Sequence, residues 1–476
     1  MAFKKFDADA ILTDRSLPDV YRSLFALAQE FAILGHIETA KTMISILLSE
    51  YTSDWQRRQI RYLRLAFAEA NQWPEEIPSD ERTEEALNKI EPQMPPNVNY
   101  AALDSQNDAA KLEMLLKHAD GEDATTGGGA MQRSSTLADA LVVAIRIASE
   151  HASSLEGIEN HQKVQEVLGH ISKRLSANQQ IQYLTERRSI WPLLLSGALS
   201  RSIPVDTNKV NALAKEAIET FTERLKNGRK SHPVETKSIK ELLIELERNT
   251  VANVERDALE FGGQVPESLF ILPPATDDQI STLEHKLNAK LPSDYKEFLK
   301  LSNGFGGTWN GYYLDPPLDG VDDIDWADVY TEDAPIELHE TPTGNFDLDP
   351  SEEGEWPIYE KALQLGTEDI FDIWFLPPQE TKKALEAYRQ VLKSPEVSEE
   401  KRAQTLKLIT SKYGSWEAFE KLEWVVVEMS HGEDTSCGSF TQFLQEKVNR
   451  SAKGMWQGEG EIEEGCFAYS CKPSGN

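Results

Sequence analysis

The chain has 476 residues, 39% hydrophobic and 27% charged, with 49 Lys and Arg against 80 Asp and Glu, giving a formal net charge of −31. That charge disfavours non-specific attachment to nucleic acid or an anionic membrane, both polyanions, and favours protein partners with basic surfaces. No apolar run approaches the ~20 residues that span a bilayer. The first residues, Met-Ala-Phe-Lys-Lys-Phe-Asp, lack the apolar stretch of a secretory signal. Cys437, Cys466 and Cys471 are too few for a disulfide framework, so a reducing, cytoplasmic setting is expected.

From the N-terminus, Leu17 to Trp73 reads as helical. Tyr21, Leu24, Phe25, Ala28, Phe31 and Ala32 share one apolar face, and Ala40, Met43, Ile44, Leu47 and Leu48 share the next, with Gly35 between them. The spacing of small and aromatic residues is that of a tetratricopeptide-like hairpin. No second copy follows at that period, so residues 1–73 are expected to be a single helical hairpin. Residues 74–135 change composition: Pro74-Glu-Glu-Ile-Pro, Pro92-Gln-Met-Pro-Pro and Gly127-Gly-Gly predict a flexible acidic linker, with a short helix over Asp108–His118. The triple glycine lacks the Gly-Lys-Ser/Thr of a phosphate loop. Residues 136–250 return to helical stripes, Leu137/Leu141/Ala144, Val164/Val167/Leu168/Ile171 and Val210/Leu213/Ala217/Phe221, and Pro192 marks a helix start or kink. The basic stretch Lys226–Lys237 is expected to be a solvated loop, with the holding of an acidic neighbour as the alternative.

The stretch 266–450 mixes helices and strands. Thr276-Asp-Asp-Gln279 is a capping-box signature. It opens a helix with Ile280, Leu283, Leu287 and Leu291 on one face. Pro292 suits the first position of a second helix, in which Tyr295, Phe298 and Leu299 are apolar; Asn303-Gly304 suits its left-handed end, and Gly306-Gly307 a further turn. Ile370–Phe375 and Trp424–Met429 read as strands. Helical patterns at Glu380–Leu392, Ser398–Lys412 and Trp416–Leu422 lie between them, and Ser439-x-x-Gln442 caps a closing helix. Residues 451–476 are Gly- and Glu-rich and expected to be disordered.

Ile280, Leu283, Glu284, Leu287, Leu291-Pro292, Tyr295, Phe298-Leu299 and Ser302-Asn303-Gly304 together resemble the opening of the SUKH superfamily. Leu365-Gly366, Ile370–Phe375, Trp424–Met429 and Ser439–Leu444 continue the likeness more loosely. The resemblance implies an α+β fold, with a mixed or antiparallel sheet packed by helices, preceded here by a mainly α-helical region. That family crosses the gap between its strands with less chain, so the helices between 380 and 422 resemble an insertion. The resemblance also implies a non-catalytic role, either as a fungal-type regulator of cell-wall glucan and chitin synthesis and stress signalling or as an immunity-type protein neutralising a basic toxin.

Between Leu301 and Glu360 there is no Lys or Arg, while acids are dense and interleaved with aromatics. This combination suits recognition of a basic partner, acids steering and rings anchoring. Trp309, Tyr313, Asp323, Asp325 and Trp326 are the candidate partner-binding residues; the alternative is that the rings are tucked into the core. No catalytic residue, metal site or cofactor is expected. Gly-x-Ser-x-Gly and His-Glu-x-x-His are absent, and His431-x5-Cys437 and Cys466-x4-Cys471 lack zinc spacing. Asp349–Glu360 only approximates a calcium loop, with prolines inside it. A hydrolase drawing on two of the many carboxylates is the rival from another class.

Overall fold

The computed structural model describes residues 6–50, 60–90, 107–119, 130–172, 183–203, 206–252, 268–310, 314–327, 338, 357, 360–368, 371–430 and 433–452. They divide into two units. One holds residues up to 12 and 19–228, the other residues 13–18 and 229 onward.

The first unit is helical among its described residues. Ile37–Glu50, Leu63–Ala70, Asp108–Ala119, Ala130–Ser149, Gln162–Ser172 and Thr207–Asn227 are its main helices after Leu17–Ile33. The predicted stripes are the buried ones: Ala28, Phe31, Ala40, Ile44 and Leu47 are enclosed, as are Val164, Val167, Leu168 and Ile171. Gly35 has φ +86°, and a Cβ there would lie 3.2 Å from the Leu194 carbonyl oxygen. Residues 74–90 depart from the expected linker. Ile77 and Leu87 are buried, and the Arg82 guanidinium donates to the carbonyls of Pro74, Glu75 and Ile77. One long side chain thus satisfies the backbone of a segment that proline keeps out of regular structure. Residues 91–106, 120–129 and 453–476, which include the other expected linker and tail stretches with Cys466 and Cys471, lie outside the described residues.

The second unit is α+β. Helix α1 (Ile239–Val251) opens on a full capping box between Ser238 and Glu241. Helix α2 (Asp277–Leu287) opens on the predicted one, Gln279 N donating to Thr276 Oγ1 at 3.2 Å and Thr276 N to Gln279 Oε1 at 2.9 Å. In α3 (Ser293–Leu301), Pro292 is the N-cap, one residue before its expected place. Five strands follow: β1 (Asp325–Ala327), β2 (Ala362–Glu368), β3 (Phe371–Leu376), β4 (Val425–Ser430) and β5 (Glu433–Cys437). They form one antiparallel sheet in the order β1-β2-β3-β4-β5. Between β3 and β4 the chain makes α4 (Pro378–Lys393), α5 (Glu399–Tyr413) and the short α6 (Trp416–Phe419); α7 (Phe440–Ser451) closes the fold.

Side chains alternate across a strand, and here both faces are covered. Leu363, Leu365, Ile373, Phe375 and Val426 face α1, α2, α3 and α7 in one core. Ala362, Trp374, Leu376, Val425 and Val427 face α4, α5 and α6 in a second. The unbroken Val425-Val426-Val427 run is the signature of a strand buried on both sides. The helices between β3 and β4 are therefore the second covering layer of the sheet. Helix α1, expected to end the preceding helical region, packs Ile239, Leu242, Leu243 and Leu246 into the first of these cores.

Close approach to backbone requires glycine at Gly304, at Gly366 and at Gly307, where a Cβ would lie 2.7 Å from Asp315 O. Gly304 has φ +98° and turns the chain so that Phe305 N donates to Leu318 O at 2.9 Å. Gly366 sits at the bulge where β2 shifts register against β3, and a Cβ there would collide with Pro317 O. Gly306 and Gly307, expected to turn the chain sharply, have no positive φ. Gly366→Ala is expected to destabilise the unit by about 1–3 kcal/mol, because the opposing group is backbone and cannot swing aside. Urea unfolding of the full chain checks it; a change under about 0.5 kcal/mol would show that the Pro317 segment can retreat.

Candidate functional site

The predicted partner-binding residues separate into three groups. Trp309 is fully buried, and its backbone N–H donates to Thr250 Oγ1 on α1 at 3.1 Å. It is a core residue and not a surface anchor, because burying a large ring is worth more than exposing it to recruit a partner. Tyr313 lies outside the described residues, as does Asp349–Glu353 of the calcium-like loop. Asp323, Asp325 and Trp326 are brought together at one end of the sheet.

That end is β1, three residues long, which among the described residues pairs with β2 alone. Asp322, Asp323 and Asp325 are exposed. The Asp325 carboxylate lies 3.1 Å from Lys286 Nζ and accepts from Trp326 N, and these contacts hold it below the usual carboxylate range. Trp326 is half-buried against the α2/α3 side of the sheet, donates its indole N–H to Leu287 O at 3.2 Å, and carries Lys361 Nζ over its ring at 3.6 Å. The edge thus presents carboxylates around an aromatic plate, with two lysines that the acid-only reading of 301–360 left out because they come from neighbouring segments. Behind it, Asp319 is half-buried, and burial together with nearby Asp323 raises its pKa to about 6.

A second charged group went unrecognised in the sequence. Lys447 on α7 is almost wholly buried and lies 2.5 Å from Asp315 Oδ2 and 2.9 Å from Glu428 Oε1. Arg450 pairs with the same Glu428, and Asn310 Nδ2 donates to Asp315 Oδ1 at 2.7 Å. The signal was present: Phe440, Phe443, Leu444, Lys447 and Val448 fall on one helical face, and a lysine on an apolar face needs a buried anion. Two acids matched by two bases are a structural clamp between α7, β4 and the chain before β1, with no charge left over for substrate. Among the described residues no group of three or more His, Cys, Asp or Glu is placed to hold a metal.

A third group lines a cavity. Arg15, from the short segment 13–18, donates to Glu446 Oε1 at 2.9 Å and to Gln445 Oε1 at 2.8 Å. Arg229 pairs with Glu235 in the stretch expected to be a solvated loop; its side chain is only 14% exposed. The solvated-loop reading holds for Lys226 and Lys230, which are exposed, but not for Arg229, whose guanidinium finds a carboxylate six residues on, nor for Pro233–Thr236, a turn of helix capped by His232 and Glu235. Cys437 is free and buried, its thiol pushed up to about 12 mainly by desolvation.

The arrangement of capped α2 and α3, the tight Ser302-Asn303-Gly304 turn and the antiparallel sheet agrees with comparison against known families. Residues 274–446 match the SMI1 / KNR4 family (SUKH-1). The matched SUKH-1 region runs from just before α2 into α7, and so includes the whole sheet and the helices α4 to α6. Helix α1 and the segment 13–18 lie outside it yet pack in the same unit. No curated protein and no solved structure matches the chain. Among the described residues no helix is long and apolar enough to cross a membrane.

Proposed function

We propose that the chain is a non-catalytic protein-interaction and regulatory protein, whose SUKH-1 region offers the β1 edge to a partner with a basic surface. The observation that carries this reading is the clustering of Asp322, Asp323 and Asp325 beside half-buried Trp326 at an end strand. Carboxylates steer a basic partner over a distance set by ionic strength, and an aromatic plate supplies apolar contact once it arrives. The family match favours regulation of the cell-wall and stress-signalling kind or neutralisation of a toxin; the same edge serves both. Against the hydrolase reading, Asp315 is already neutralised by Lys447, and Asp325 is turned to Lys286.

The test uses the full chain as bait in extracts. Partners held at roughly 0.1 M salt are expected to elute as the ionic strength approaches 1 M, where the Debye length falls from about 10 Å to 3 Å. Asp323→Asn combined with Asp325→Asn is expected to slow association several-fold while shifting stability by less than about 0.5 kcal/mol, since both side chains are exposed. Salt-insensitive retention, unchanged by the double substitution, would remove the electrostatic basis of the proposal.

A further inference from the structure

Just before α2, Ile271, Leu272, Pro273 and Pro274 are consecutive apolar residues and all are exposed. Ile271 is 51% exposed and Leu272 44%; of the six large apolar side chains exposed among the described residues, these two are the adjacent pair. Single exposed apolar side chains are ordinary. A run of four is not, because folding would bury it unless another molecule covers it.

The run is firmly held. Leu269 and Ala275, on either side of it, are buried in the first core. Leu269 N donates to Glu247 Oε1 at 2.9 Å, Gly306 N to Leu269 O at 2.8 Å, and Ala275 N to Leu299 O at 2.8 Å. The Phe270 ring meets Phe305 edge-on at 5.2 Å. Pro273 and Pro274 fix their own φ and bias the residue before each towards extended backbone. Ile271 and Leu272 are thus presented on a strap that is ordered before any partner arrives, which lowers the entropic cost of covering it.

The strap borders the acidic turn that leads into β1. A Cβ on Gly320 would lie 3.2 Å from Leu272 Cδ1, so the Leu272 side chain rests against the backbone of that turn. Asp323 N and Ile324 N both donate to Gly320 O, at 3.0 Å and 3.2 Å, and this tight turn keeps Asp322 and Asp323 close to Gly320. Both acids are exposed. Among the described residues neither forms an ion pair, whereas Asp325 faces Lys286.

We propose that the 271–274 strap and the Asp322–Asp323 turn form one docking surface for a peptide segment of a partner in which bulky apolar residues stand beside Lys or Arg. The apolar strap takes the bulky side chains, and the two carboxylates take the cations. This inference rests on the β1-edge reading for its charge and adds the apolar content of the partner.

The test selects random displayed peptides on the immobilised full chain, then measures the best of them, as synthetic peptides, by fluorescence anisotropy. Enriched sequences are expected to carry Leu, Ile, Phe or Trp within a few positions of Lys or Arg. Their affinity is expected to fall about tenfold with Ile271→Ser combined with Leu272→Ser, and several-fold with Asp322→Asn combined with Asp323→Asn. Ile271→Ser alone, at the more exposed of the two positions, keeps the test decisive should the double change fold poorly. Enriched peptides that are basic without bulky apolar residues, bound equally by the strap variants, would overturn the inference and leave the β1-edge reading standing. Apolar peptides indifferent to the Asp322/Asp323 change would overturn both, and the absence of any enriched peptide would overturn the inference. Dimerisation of the full chain, abolished by the strap variant, would give the strap to a second copy and overturn it as well.

Discussion

Lys447→Met is expected to destabilise the C-terminal unit by about 3–5 kcal/mol, because it strips one cation from two enclosed carboxylates. The ammonium is 2% exposed and bridges Asp315 and Glu428, and it also lies 4.9 Å from the Phe443 ring. After the change Glu428 keeps Arg450, whereas Asp315 loses its close cation and, among the described residues, keeps neutral hydrogen-bond donors such as Asn310, with Arg450 acting on it only from further away. The loss should depend on pH. Burial alone would raise the Glu428 pKa, but Arg450 and Lys447 more than reverse that, and it falls from 4.5 to about 2. A depressed carboxylate contributes stability fully above its unfolded value and loses it as pH falls through the folded one. The wild type should therefore weaken between about pH 4.5 and pH 2, and the gap between it and Lys447→Met should narrow over the same interval. Urea midpoints at pH 7 and pH 3 check both points. A loss below about 1 kcal/mol at pH 7 would mean that water or rearrangement compensates Asp315. Asp315→Asn placed on Lys447→Met should recover part of the deficit, since it removes the stranded charge.

Phe440→Ala is the second large effect, about 3–5 kcal/mol. This ring occupies the first turn of α7 and lies 4.8 Å from Tyr295, 4.9 Å from Phe298, 5.6 Å from Phe443 and 6.3 Å from Phe375, centroid to centroid. It therefore joins α3, β3 and α7 at a single point, and its removal leaves a cavity whose walls belong to three elements that cannot all collapse inward. Phe440→Leu should lose far less, because it keeps most of the volume. An unchanged denaturant slope with a lowered midpoint would identify the effect as lost packing. Equal stability of the Ala and Leu variants would show that the site repacks freely.

The opening of the SUKH-1 region was legible because its signals are local. Thr276/Gln279 is a reciprocal cap readable at fixed spacing, and Tyr295, Phe298 and Leu299 fall on one face whatever surrounds them. The strands around Phe371–Leu376 and Val425–Ser430 were legible through β-branched and aromatic runs. Strand β5 was missed because Glu433-Asp434-Thr435-Ser436-Cys437 has a polar composition and gains its strand character from pairing with β4. The linker reading of 74–90 failed because prolines and acids mark irregular backbone, not exposure; Arg82 supplies the missing hydrogen bonds from within the segment. In the candidate site, Asp323 and Asp325 sit at the surface as their composition suggests. Trp309 and Trp326 look alike in sequence, yet one is enclosed under α1 and the other is half-buried at an edge. That difference is set by contacts 59 and 39 residues distant, which spacing along the chain cannot reveal.

The central claim, that the β1 edge is where a basic macromolecule docks, is tested most directly by a photo-crosslinking amino acid placed at Asp323 of the full chain in its native cell. A second probe at Leu406, an exposed position on α5 within the same unit, serves as control. The account predicts adducts with one or a few proteins rich in Lys and Arg at position 323, reduced by Asp325→Asn and absent from position 406. Adducts of equal pattern at both positions, or none at 323, would contradict it.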